Sequence, residues 1–176
     1  MRKIAVVIAA IGLAVAVYYG THDRSAKPRR EPDTRSSASP APALTLVDLS
    51  GNKIDTPSYA GKVVLINFWA AWCTPCAEEV PQLVALQDKY RDQGFRVIGI
   101  SMDDSDSALR DFYRKYKMNY PVAAGSAKIA ESYGGILGLP TSFLISRDGR
   151  IRAKYPGLAD FDKLEQEIIA LLRTNH

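Results

Sequence analysis

The chain has 176 residues, 47% of them hydrophobic and 24% charged, with a net charge of +4. That composition excludes a wholly disordered chain and a polytopic membrane protein, and the length suits one domain with an appendage. The charge is uneven: residues 1–43 hold 7 Lys/Arg against 3 Asp/Glu, whereas residues 44–176 hold 16 of each. The body therefore offers no electrostatic footprint for nucleic acid.

Met1-Arg2-Lys3 precedes an apolar run from Ile4 to Val17, followed by Tyr18-Tyr19-Gly20. A positive start and a run of this length fit a signal segment or a short spanning helix, whose lower limit is ~17 residues. Ala14-Val15-Ala16 would serve as a cleavage site, but the run continues past it into a tyrosine pair of the interfacial kind. We read residues 1–20 as an uncleaved signal-anchor with the body outside the cytoplasm. Arg24, Lys27, Arg29 and Arg30 oppose that orientation under the positive-inside rule. The export of the body rests equally on the redox chemistry below.

Residues 21–43 contain four prolines, four serines and no aromatic or large aliphatic residue. Such a segment cannot bury enough apolar area to fold, and as a coil it spans on the order of 25 Å. It reads as a flexible linker to a body over residues 44–176.

Within the body, Leu44 to Asp48 alternates and is followed by a turn at Ser50–Lys53, which predicts a short hairpin. Lys62 to Trp69 is a β-branched apolar run of the kind found in buried central strands. Thr74 to Tyr90 takes a helical period, with Val80, Leu83, Val84, Leu86 and Gln87 on one face and Pro81 as a kink. Phe95 to Ile100 predicts a second buried strand, Asp106 to Tyr116 a capped helix, and Ser126 to Tyr133 a short helix ended by glycines. Ser142–Ile145 and Ile151–Lys154 flank an Asp148-Gly149 turn, and Phe161 to Leu172 is an amphipathic helix. This order gives an α/β fold, a mixed central sheet flanked by helices.

The two cysteines lie together at Cys73-Thr74-Pro75-Cys76, and the two histidines, His22 and His176, stand at opposite ends of the chain. A zinc site needs four ligands in two clusters, and a histidine-activated nucleophile needs a histidine in the body, so neither is expected. No metal or cofactor is therefore assigned. The CxxC falls where a strand hands over to a helix, and its spacing brings both sulfurs to the first turn, close enough for a disulfide. Free N–H groups there stabilise a thiolate, making Cys73 the exposed nucleophile and Cys76 the resolving thiol. An inert local disulfide is the alternative, but a loop this short stabilises little. Glu79, three residues beyond Cys76, is placed to reach the mouth of the site and exchange a proton with the resolving thiol; an acid serving only the helix dipole is the competing reading.

Asn67-Phe68-Trp69-Ala70-Ala71-Trp72-Cys73-Thr74-Pro75-Cys76 resembles the active-site segment of thioredoxin-fold proteins. Gly138-Leu139-Pro140-Thr141-Ser142-Phe143-Leu144-Ile145 resembles their cis-proline strand. Glu79-Val80-Pro81, Asn119-Tyr120-Pro121-Val122 and the long segment between Ile100 and Pro140 select the TlpA/ResA-type membrane-anchored thiol–disulfide reductases, which include the cytochrome c maturation thioredoxins. The resemblance covers about Leu44 to Leu172. It implies a thioredoxin fold with an N-terminal β-hairpin and a central insert, facing the periplasm or the cell exterior.

It implies further that Pro140 is cis beside the CxxC, and that Leu139 presents backbone to an extended substrate. Trp72 would form an apolar wall, with Trp69 belonging more to the core. Asn67 occupies the place of a buried aspartate in ordinary thioredoxins, so the proton acceptor must lie elsewhere. Asp104 is read as a helix cap or an active-site edge residue, and Gly125 stands where many relatives carry an acid. The implied partners are a disulfide-bearing protein substrate (an apocytochrome c or a copper-site protein) and an upstream membrane thiol reductant. A thiol oxidant on the same fold and a copper-handling binding protein remain the alternative functions.

Overall fold

The computed structural model describes residues 38–103 and 105–174. The expected anchor over 1–20, the linker up to residue 37, and Asp104 lie outside the described residues. Among the described residues no helix is long and apolar enough to cross a membrane.

Two short strands, β1 (Thr45–Val47) and β2 (Lys53–Asp55), form the expected antiparallel hairpin. A single helical turn at Thr56–Tyr59 leads into β3 (Val63–Trp69), whose seven residues are all buried. Then come α1 (Thr74–Tyr90), β4 (Phe95–Ser101), α2 (Asp106–Lys115), β5 (Val122–Ala124), α3 (Ala127–Ser132), β6 (Thr141–Ile145), β7 (Ile151–Pro156) and α4 (Phe161–Arg173). The central sheet runs β5-β4-β3-β6-β7. Strands β3, β4 and β5 are mutually parallel, and β6 and β7 complete the sheet antiparallel. This is the thioredoxin-like arrangement expected from the sequence, with α2, β5 and α3 as the insert between β4 and β6.

The period-2 alternation of β3 divides the core. Val63, Leu65 and Trp69 pack with Leu83 of α1, Phe112 of α2, and Leu164 and Ile168 of α4. Val64, Ile66 and Phe68 pack on the other side with Ile54 of the hairpin, Tyr133 beyond α3 and Phe143. Asn67 belongs by parity to the first series, the only polar side chain of β3. Its register partners are Gly99 on β4 and Ser142 on β6. The helices begin as read: Ser105 Oγ accepts from the Ala108 N–H at 3.4 Å to cap α2, and Ser126 Oγ from the Ile129 N–H at 3.3 Å to cap α3. Helix α1 continues through Pro81.

Strand β5 was not anticipated, because three residues carry no periodic signal. Residues 38–43, read as the end of the linker, lie along the body. The Ile151 N–H donates to Ser39 O at 2.9 Å, and the Ala41 N–H to Gly149 O at 2.9 Å.

Gly125, just after β5, has a steric reason to be glycine. A Cβ there would sit 2.8 Å from Ile100 Cγ2, 2.8 Å from Met102 Sδ and 2.9 Å from the Ser101 carbonyl oxygen. Gly125→Ala should destabilise the fold by about 1–3 kcal/mol, since backbone as well as side chain must move. A urea midpoint equal to that of the parent protein would contradict this.

Candidate active site

At its C-terminal end β3 releases the chain into a turn, Ala70-Ala71-Trp72, before α1. The β3–β4 pairing extends past the strand, with the Met102 N–H donating to Trp69 O at 2.8 Å. The Asp103 carboxylate then accepts from the Ala71 N–H through both oxygens, at 2.8 and 3.0 Å. Ser101 Oγ donates to the same carboxylate at 2.7 Å. The tip of β4 thus pins the turn that carries the CxxC. Asp103 was not singled out in the sequence, because only the register of β4 shows that this acid meets the turn. Asp103→Ala should strand the Ala71 N–H and lower unfolding free energy by about 1–3 kcal/mol. Thermal denaturation checks this, and an unchanged melting temperature would show that water replaces the carboxylate.

Cys73 is the N-cap of α1, and its Sγ accepts from the Cys76 N–H at 3.3 Å. Pro75 occupies the first turn, where no backbone donor is lost. Cys73 and Cys76 form a disulfide with their Cα atoms 5.3 Å apart. The expectation that Cys73 stands exposed needs correction: it is 5% exposed and Cys76 1%, and both belong to the core cluster. In the bonded form the pair shares a buried apolar cluster with Trp69, Ala70 and Val80. What projects beside them is Trp72, 72% exposed. Trp69 is fully buried.

Opposite lies the start of β6. The register Phe68↔Thr141 puts Pro140 beside Trp69, at the strand end from which the CxxC turn departs. The Leu139–Pro140 peptide is cis. Pro140 O accepts from the Gly157 N–H at 2.8 Å, and Thr141 Oγ1 donates to Gly138 O at 2.7 Å. The Leu139 backbone makes no hydrogen bond among the described residues. Leu137 and Leu158 join Trp72 as exposed large apolar side chains.

Glu79 is not at the mouth of the site. It lies in the second turn of α1 on the face of Cys76, Val80 and Leu83, and is 1% exposed. Its Oε2 accepts from Asn67 Nδ2 at 2.9 Å and its Oε1 from the Ala159 N–H at 3.4 Å. Burial pushes its carboxyl up to about 7, opposed by those two hydrogen bonds. With the cysteines joined as a disulfide, the shift comes from loss of water. Asn67 Nδ2 also donates to Ser142 Oγ at 2.9 Å. Tyr120 is buried nearby, its hydroxyl unpartnered among the described residues and pushed upward by burial and by the Glu79 charge. Ser142 was missed in the sequence. Its one signal was a polar residue, beside Thr141, in a strand that ends apolar.

A dithiol pair at a helix head, with a buried carboxyl one turn behind, is equipped for thiol–disulfide exchange with proton transfer.

Comparison with known proteins agrees. Residues 38–154 match the family described as AhpC/TSA. The thiol-disulfide oxidoreductase ResA of Bacillus thuringiensis subsp. konkukian (strain 97-27) is 37% identical over 127 residues, spanning 72% of this chain and 73% of the relative. Its counterpart in Bacillus subtilis (strain 168) is 31% identical over 116 residues, 66% of this chain and 65% of the relative. Among solved structures, a thiol:disulfide interchange protein of the thioredoxin family from Chlorobium tepidum TLS superposes with a TM-score of 0.72. It is 27% identical, and the match covers 77% of this chain and 97% of that one.

Proposed function

The chain belongs to the AhpC/TSA family and is a thiol–disulfide oxidoreductase of the thioredoxin fold, and from that premise we propose that it reduces disulfides in an extracytoplasmic protein substrate. One observation carries the direction: the buried Glu79 carboxyl, one turn behind the cysteines, with two neutral donors and no cation among its hydrogen-bond partners. A strong oxidant stabilises its thiolate form. A carboxylate behind the thiols does the opposite, so the dithiol yields its electrons more readily.

The cycle begins with the dithiol. The Cys73 thiolate attacks one sulfur of the substrate disulfide, and the other substrate sulfur leaves and takes up a proton. A mixed disulfide now joins Cys73 to the substrate. Cys76 gives its proton to Glu79 and attacks Cys73 Sγ, and the second substrate sulfur leaves as a thiolate that is protonated as Glu79 gives up the proton it took. Two electrons have moved to the substrate, and the Cys73–Cys76 disulfide awaits an upstream membrane thiol reductant. Trp72, Leu139 and Pro140 form the rim on which the substrate lies, with the free Leu139 backbone available to an extended segment.

The charged start and apolar run of residues 1–20 support a membrane anchor, with the domain on the periplasmic or outer side. Apocytochromes c and copper-site proteins are the substrate classes to try first. The test uses the reduced full-length protein mixed with a disulfide-bearing protein of either class. Two substrate thiols should appear for each Cys73–Cys76 disulfide formed. Substrate that stays oxidised while the enzyme stays reduced would overturn the reading, and a C-terminal phosphatase fusion active only in the cytoplasm would overturn the placement.

A further inference from the structure

The sheet has two unlike poles. The CxxC turn leaves β3 at its C-terminal end. At the opposite end stand Lys62 before β3, Arg96 in β4, Arg147 after β6, and Arg150 and Arg152 about the start of β7. Helices α1 and α4 end at this pole too. The Arg147 guanidinium gathers these ends by donating to Gly61 O at 2.6 Å, Leu172 O at 3.0 Å and Gln93 O at 3.4 Å. The helix ends add Arg91 and Arg173.

Asp88, Asp92 and Asp148 stand among these cations, and Asp148 is paired with Arg152 at 3.1 Å. Arg96, Arg147 and Arg150 bond to backbone carbonyls instead, which leaves their charges unneutralised. Cations at a helix C-terminus complement its dipole, which accounts for Arg91 and Arg173 but not for those on the strand ends. The body holds 16 residues of each sign, so this excess is one of arrangement. Asp103, Asp106, Asp160 and Asp162 lie at the other pole, at the tip of β4 and the heads of α2 and α4.

The chain also enters the body at the basic pole. Pro40 bridges to Arg150, and Arg150 Nη1 donates to Ala38 O at 2.7 Å. The residues that precede Ala38 in sequence include Arg24, Lys27, Arg29, Arg30 and Arg35.

We propose that the basic pole is a docking surface for anionic lipid headgroups, on which the domain lies with its CxxC end directed away from the bilayer. The proposal goes beyond the reductase reading, and it uses the anchor reading of residues 1–20 only to bring a bilayer near. The entry of the chain at this pole selects the membrane as the polyanion it meets. Attraction of Lys and Arg to an anionic surface fades within a Debye length, about 10 Å at 0.1 M salt, so the groups at the pole itself decide it. Strand β3 has seven residues. At roughly 3.3 Å per residue it holds the CxxC turn about 20 Å further from the headgroups than Lys62. The site then faces substrates that stand off the membrane.

The experiment is NMR on the full-length protein, deuterated and labelled with 15N, in lipid nanodiscs carrying a trace of gadolinium-chelating lipid. One set of discs mixes phosphatidylglycerol with phosphatidylcholine, and the other is phosphatidylcholine alone. In the anionic discs at about 0.1 M salt, the amide signals of Gly61, Gly94 and Gly149 should be lost to paramagnetic broadening while those of Ala71 and Cys73 persist. The glycine signals should return in the anionic discs at about 1 M salt, and be retained in the neutral discs. Combining Lys62→Gln, Arg91→Gln and Arg173→Gln should restore them in the anionic discs. These three side chains are exposed, and the guanidinium groups that brace the turns stay in place. Glycine signals retained in the anionic discs would overturn the proposal. So would equal loss in the neutral discs, which would show that the tether alone brings this pole to the bilayer. Should the triple variant fail to fold, the lipid and salt comparisons on the unmutated protein decide. Flotation with phosphatidylcholine vesicles tests the anchor by itself: failure there overturns the reading of residues 1–20, and the anionic discs still decide the pole.

Discussion

Replacing Cys73 with serine should abolish disulfide turnover, whereas replacing Cys76 with serine should stop it one step later and leave the substrate covalently attached. The two cysteines share a turn but not an environment. Cys73 caps α1, where the Cys76 N–H already points at its sulfur at 3.3 Å and the helix N-terminus favours a thiolate. Cys76 sits inside the helix against the core, with Glu79 one turn on. Exposure differs little between them in the disulfide form, so the asymmetry is one of thiolate stabilisation. The residues around Cys73 (Trp72, Thr74 and Pro75) are exposed and admit a partner to it. Non-reducing electrophoresis after mixing with a disulfide-bearing protein checks this. Mixed disulfides should accumulate for Cys76→Ser and not for Cys73→Ser, and equal trapping by both variants would contradict the roles.

Glu79→Gln should slow resolution of the mixed disulfide by about 10²-fold, within the usual range for proton-transfer assistance. Gln keeps the side chain's size and can still accept from Asn67, but it cannot take a proton. The same substitution has a second consequence. The folded carboxyl is pushed up to about 7 from an ordinary value of 4.5. The folded protein therefore holds this proton more tightly than the unfolded chain. The stability it contributes is fully present below about pH 4.5 and is lost as pH rises through about 7, by on the order of 3 kcal/mol at most. Urea unfolding of the oxidised protein should thus give a lower midpoint at about pH 8.5 than at about pH 5. Glu79→Gln should flatten that difference while losing activity. Rate–pH and stability–pH curves that superimpose on the parent's would show Glu79 to be a passive buried acid.

Much of this was legible in the residues. Val63–Trp69 and Phe95–Ser101 are continuous apolar runs, and Thr74–Tyr90 keeps one period from the CxxC to its end, so these elements fall where the pattern puts them. The cysteine pair announces itself by spacing alone. What stayed hidden depends on register between distant strands. Asn67 meets Ser142 across 75 residues only because β6 lies antiparallel to β3 with those two positions opposed. Asp103 meets Ala71 because the pairing of β4 with β3 continues past the strand at Met102, which brings the next side chain to the turn. Glu79 was legible as a residue of interest but not as a buried one. Helical spacing aligned it with Cys76, while the depth of that face depends on the sheet beneath.

The direction of electron flow is the central claim, and the reduction potential of the Cys73–Cys76 couple tests it most directly. Equilibration of the full-length protein with glutathione buffers should give a value below about −220 mV, on the reducing side of the glutaredoxins. A value near about −120 mV, that of a strong disulfide donor, would contradict the account and make this protein an oxidant.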